Sequence, residues 1–153
     1  MTELHGQVAI VTGGGGSIGR ATVHRLREAG VNVIAVDLSL DAMASHLAEN
    51  LPGSVELVQG DVIDRELGPR AVTVALEKFG RLDILVNNAG MGSDQVPLWE
   101  IDTDVWERDI TVNLTSQFIM CKAAIPTMIA AGYGRIINVA SAAGMEGHAL
   151  AGG

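Results

Sequence analysis

One cysteine, Cys121, in 153 residues excludes an intrachain disulfide. A chain without that crosslink suits a reducing compartment, and the reading places it in the cytoplasm. Aromatic residues make up 3% of the chain, so any core has to be aliphatic, built from Val, Ile, Leu and Ala. Basic residues are scarce as well. Ten Lys and Arg face 18 Asp and Glu, for a net charge of −8, and no basic run exists. That excludes the positive patch by which a protein holds nucleic acid or an anionic membrane. His5, His24, His46 and His148 share no ligand spacing, and with one cysteine beside them no metal site is expected. Residues 1–7 lack the apolar core of a signal peptide. No apolar run reaches the roughly 18 residues of a membrane span; the nearest, Phe118 to Ala131, is interrupted by Lys122 and Pro126.

Hydrophobic residues, by contrast, reach 48%, and 19 glycines fall in short clusters without a period. This composition points to a buried core with tight turns and excludes collagen-like or disordered chains. Short apolar runs without alternation, read as strands buried on both faces, occur at Gln7–Thr12, Val31–Val36, Val55–Gln59, Asp83–Val86 and Arg135–Ala140. Helical spacing fills the intervals. Ile18–Ala29 stops at Gly30, and a helix capped by Ser39 or Asp41 runs to about Asn50 before Pro52-Gly53. Ile63–Phe79 has a weak start near Gly68-Pro69, and Asp102–Ala131 is one long helix or two, bent at Pro126. The acidic cluster at Asp102, Asp104, Glu107 and Asp109 suits a helix start. Alternating strands and helices predict one α/β domain over 1–153, a Rossmann-type doubly wound parallel sheet of about five strands in the order 3-2-1-4-5. The first two helices lie on one face and the next two on the other, and the fold is incomplete on its C-terminal side.

The loop after the first strand, Thr12 to Arg20, reads TGGGGSIGR. Gly14, Gly16 and Gly19 satisfy G-x-G-x-x-G between a strand and a helix, which is the context the motif needs. Glycines let backbone approach a diphosphate closely, and the free N–H groups of the helix start attract its charge. A nucleotide-triphosphate P-loop uses the same glycine spacing, but Arg20 and Ala21 stand where it needs Lys and Ser or Thr. Asp37 closes the second strand. Its carboxylate can accept from an adenosine ribose and repels a 2′-phosphate, and Leu38 brings no arginine to rescue one, so the expected cofactor is NAD in preference to NADP. A turn or capping role for Asp37 is the alternative.

These motifs together resemble the short-chain dehydrogenase/reductase family over essentially the whole chain. Thr12-Gly13 with Gly19 is similar to its T-G-x-x-x-G-x-G, Asp61-Val62 to its adenine-contacting pair, and Asn87-Asn88-Ala89-Gly90 to its N-N-A-G. Asn113 in TVNLTSQ sits where the family has its active-site Asn, and Ser141 after IINVA where it has its catalytic Ser. The resemblance implies a cofactor site of Gly13, Gly16, Ser17, Ile18, Gly19, Asp37, Leu38, Asp61, Val62, Asn88, Ala89 and Gly90. Asn113 would hold a water or backbone carbonyl in a proton relay, and Ser141 would hold the substrate oxygen. Asp61 can also be read as a turn residue, and Asn87 as a tie between strands. Two departures stand out. Ser17 replaces the family's middle glycine, and no Y-x-x-x-K occurs. Tyr133, the one tyrosine, precedes the fifth strand and has Ile137 four places on.

The expected function is therefore NAD-dependent hydride transfer between NAD(H) and a small alcohol or ketone. This 153-residue chain lacks the acid/base Tyr and Lys and is expected to be inactive alone, while a full-length form would be a homo-oligomer. A non-catalytic dinucleotide-binding module, or a structural partner of complete family members, are the alternatives. Met91–Trp99 would form a pocket wall, and exposed apolar surface with marginal stability is expected near the fifth strand.

Overall fold

A computed structural model describes residues 4–48, 50–92 and 96–142. Five parallel strands form one sheet in the order β3-β2-β1-β4-β5. They are β1 (Val8–Thr12), β2 (Asn32–Asp37), β3 (Val55–Gln59), β4 (Ile84–Asn87) and β5 (Arg135–Asn138). β1 is central, with Ala9 opposite both Val33 and Ile84. Both faces of β1 are covered, which is why its sequence is continuously apolar instead of alternating.

The two faces carry two cores. Val8, Ile10, Ile34, Val36 and Leu85 pack against α4 (Leu67–Phe79) and α6 (Ser116–Ala131), through Leu67, Ala71 and Ala75 of the former and Met120, Ala124 and Met128 of the latter. Ala9, Val11, Val33, Ala35, Ile84 and Val86 face α1 (Ser17–Glu28) and α2 (Leu40–Met43), through Val23 and Met43. The first two helices thus share one face and the later helices the other, as right-handed crossovers require. At the foot of the sheet, Arg81 grips the buried Asp83 at 2.8 and 2.7 Å, and Asp83 Oδ2 accepts from Val8 N at 2.8 Å. Hydrogen bonding to Asp83, then that carboxylate's charge, pushes the Arg81 pKa up.

Three elements differ from the sequence expectation. The helix expected up to Asn50 is two short pieces, α2 and α3 (Ser45–Ala48), with Ser39 capping the first through Ala42 N. α4 begins at Leu67, after a turn in which Asp64 Oδ1 accepts from Glu66 N, so Gly68 and Pro69 fall in its first turn, where a missing N–H costs nothing. The long helix does not break at Pro126. That residue lies on the exposed face, where water can serve the Lys122 carbonyl it leaves free. The irregularity is a π-helical turn at Thr111–Thr115, between α5 (Thr103–Ile110) and α6. There the Thr111 and Ser116 hydroxyls donate back to the carbonyls of Glu107 and Val112. Because that turn keeps the helix continuous, Thr103–Ala131 runs 29 residues. By length and composition alone it is long and apolar enough to cross a membrane, although no uninterrupted apolar run within it reaches that length. Its inner face packs on α4 and the sheet.

Candidate functional site

Chain direction splits at β1. β2 and β3 build out on one side of it, β4 and β5 on the other, so the loops leaving β1 and β4 part and leave a crevice at the carboxyl ends of the strands. A cavity of about 790 Å3 occupies this crevice, within the roughly 300–1,000 Å3 of small-molecule sites.

The glycine loop forms one wall. Gly13 has φ +67°, and a Cβ there would press on Ala89 Cα and Asn88 Nδ2 at 3.0 Å. A Cβ at Gly19 would overlap the Gly13 carbonyl oxygen. These two positions need glycine for space, whereas Gly16 has room for a methyl group at 3.4 Å. The chain enters α1 at Gly16 with no side-chain cap, which leaves the first-turn N–H groups directed at the crevice end of the helix.

Asp37, at the tip of β2, is held on both oxygens. Oδ2 accepts from Gly15 N at 2.9 Å and Oδ1 from Ser39 N at 3.2 Å. The turn role and the cavity-facing role thus coexist in one carboxylate. The same holds for Asp61, whose Oδ1 accepts from Ile63 N at 3.2 Å while the residue lines the cavity. The opposite wall is sewn to the glycine loop by Thr12. Its hydroxyl accepts from both Asn88 N and Ala89 N at 3.0 Å, and Asn88 Nδ2 donates to the carbonyls of Thr12 and Gly13. Asn87 ties strands together, donating to Asn138 Oδ1 at 2.8 Å.

All twelve residues read from the sequence as cofactor contacts line this one cavity. Asn113 and Ser141 do not. Asn113 clasps the backbone of Met91, accepting from its N and donating to its O at 3.0 Å each, while Ser141 lies exposed three residues past β5. Tyr133 is a loop residue; its hydroxyl accepts from Gln7 Nε2 and its ring lies 4.7 Å from the Arg135 guanidinium. Of the expected wall at Met91–Trp99, Met91 lines the cavity, Leu98 and Trp99 are exposed, and residues 93–95 lie outside the described residues. Sequence reasoning missed Gly60, Ile63, Arg108 and Val112. Arg108 and Val112 are one helical turn apart, so a fixed phase for α5 would have paired them on one face. Among the described residues that line the cavity, Arg108 is the one cationic side chain, against the carboxylates of Asp37 and Asp61.

A parallel 3-2-1-4-5 sheet with a glycine-walled crevice at its switch point defines a Rossmann-type α/β protein. Residues 7–152 match the family model described as short chain dehydrogenase, and the chain belongs to that family. It is 40% identical over 146 residues to 3beta-hydroxysteroid dehydrogenase 2 of Eggerthella lenta, covering 93% of this chain and 56% of that protein. It is 37% identical over 149 residues to the 3-oxoacyl-acyl-carrier-protein reductase FabG of Thermotoga maritima, covering 95% and 60%. The crystal structure of NAD+-bound xylitol dehydrogenase superposes with a TM-score of 0.92 at 34% identity, covering 97% of this chain and 58% of that one. The chain spans less than two thirds of the length of these relatives.

Proposed function

We propose that this chain is the cofactor-binding part of an NAD-dependent oxidoreductase that moves hydride between NAD(H) and an alcohol or carbonyl substrate. The observation that carries the reading is the crevice itself, a cavity of about 790 Å3 lined by Gly13, Gly16, Ser17, Ile18 and Gly19 at an uncapped helix start, with Asp37 at its side. Because a Cβ at Gly13 or Gly19 would press on Asn88, Ala89 or the Gly13 carbonyl, glycine there lets the loop fold tightly against the start of α1, where free N–H groups can take a diphosphate. Asp37, held by Gly15 N, retains lone pairs for a ribose and favours NAD over NADP. Asp61 and Val62 would border the adenine, and Asn88, Ala89 and Gly90 the second ribose. Nicotinamide supplies hydride chemistry when bound. The NAD+-bound xylitol dehydrogenase supports this family of cofactor.

Ser141 is assigned to the substrate oxygen and Asn113 to the relay. The 153 residues contain no Y-x-x-x-K, so the polypeptide by itself offers no general acid/base pair of the family type. Purified chain given NAD and a panel of secondary alcohols should show no turnover above background; ready turnover would overturn that part of the reading. Codons following position 153 that encode an in-frame Y-x-x-x-K would supply the missing pair. A complete protein is expected to be a cytoplasmic homo-oligomer. The rival reading, a dinucleotide-binding module without catalysis, draws on Ser141 lying outside the cavity lining.

Calorimetric titration tests the cofactor part of this reading, which a purely structural partner of complete family members need not share. The chain should bind NAD and discriminate against NADP. Asp37→Asn should weaken NAD by about tenfold, the scale of a hydrogen bond to a charged group, and narrow the gap to NADP. Affinities unmoved by that substitution would sink the NAD assignment.

A further inference from the structure

His46 is fully buried on α3, beneath the glycine loop, and its Nε2 lies 2.9 Å from the Gly14 carbonyl oxygen. A carbonyl only accepts, so Nε2 must carry a proton, which fixes the tautomer. Nδ1 is buried with no hydrogen-bond partner among the described residues. The imidazole therefore makes a single directed bond, and that bond goes to the loop. The backbone that carries the ring is held from behind, because the buried Arg27 of α1 donates from Nη1 to the His46 carbonyl at 2.6 Å and from Nε to the Gly53 carbonyl at 2.9 Å.

The Gly14 carbonyl belongs to the same peptide plane as the Gly15 N–H. In a trans peptide these two groups point in opposite directions, and no cis bond is present among the described residues. The Gly15 N–H is the group that donates to Asp37 Oδ2 at 2.9 Å. One rigid plane is thus gripped at its oxygen by His46 and at its hydrogen by Asp37. Between two glycines such a plane is otherwise free to rotate, since neither neighbour carries a Cβ to restrict it.

We propose that His46 is a positioning residue that locks the Gly14–Gly15 peptide and, through it, aims the carboxylate of Asp37 into the cavity. A buried side chain on a short helix behind the loop thereby sets the geometry of the group that reads the cofactor's sugar. The link to cofactor affinity rests on the NAD reading above, whereas the lock itself does not.

The lock can be read in the chain without any dinucleotide. Nitrogen chemical shifts of the unmutated His46 ring should show the Nε2–H tautomer, and an Nδ1–H tautomer overturns the proposal with no variant needed. Amide exchange at Gly15 should be slow in the unmutated chain. It should rise at least several-fold in His46→Leu while Val8–Val11 amides stay protected, and return towards the original rate in His46→Gln, whose terminal amide can donate to the same oxygen. Unchanged Gly15 exchange in a folded His46→Leu chain overturns the proposal, as does failure of His46→Gln to restore it. Titration with NAD then separates the two readings. If the unmutated chain binds no NAD, the cofactor assignment fails while the exchange result stands. If it binds NAD, His46→Leu should lose about fivefold in affinity, the worth of one net hydrogen bond, with no further loss when combined with Asp37→Asn. Additive losses overturn the coupling to Asp37.

Discussion

At the scale of single residues, the crevice depends on polar side chains that bind protein backbone as much as on those that face the cavity. Thr12 is the clearest case. It is buried at the end of β1, and one hydroxyl accepts two N–H groups from the start of the β4 loop. Thr12→Val keeps the shape and strands both donors, so unfolding in urea should show a loss of about 2 kcal/mol, the low end of the cost of two unpaired amides that are only half-buried. Thr12 could be read from the sequence only as the opening of a glycine motif, because its partners lie 76 and 77 positions away. His46 was illegible for the same reason; it stood out only as a histidine without metal partners. Gly13, Gly16 and Gly19 of the loop after β1, with Asp37 and Asp61, were legible because their signals are local: a loop at a strand end, or an acid closing an apolar run.

Among the elements, the strands were predicted within about a residue or two, since buried parallel strands announce themselves as short apolar runs bounded by turns. The ends of the long helix were placed as closely, but its irregularity was not. Pro126 is the obvious breaker, yet it sits on the solvent face and leaves α6 intact, while the real irregularity at Thr111–Thr115 carries no proline or glycine. Hydroxyls turned back on the helix and the grip of Asn113 on Met91 hold that turn, and neither can be seen without the loop after β4 in place. A π turn often marks a functional region, and this one faces the crevice wall. Asn113→Ala should release the loop. Met91 amide exchange should accelerate several-fold, with a global loss of about 1 kcal/mol; an unchanged Met91 rate would show the loop to be held elsewhere.

For the whole molecule, the sheet is unequally protected. β1, β2 and β4 are shielded on both faces, whereas every residue of β5 is exposed, including Ile136 at 37% and Ile137 at 45%. Among the described residues β5 pairs with β4 alone, so its free edge offers unpaired backbone beside apolar side chains, a combination that favours self-association. Sedimentation velocity should find the chain associating with rising concentration. Ile137→Lys should suppress this while changing stability by less than about 0.5 kcal/mol, as for a surface position; equal association by both chains would move the contact elsewhere.

The crevice lies between two halves of the sheet that are joined at its rim by Thr12 and Asn88. One half contributes the glycine loop, Asp37 and Asp61, the other Asn88 to Met91 and Val112. Any molecule long enough to touch both halves acts as a tie-bar across that joint. Occupancy would then be felt as mechanical cohesion: pulling the halves apart would first have to eject the occupant.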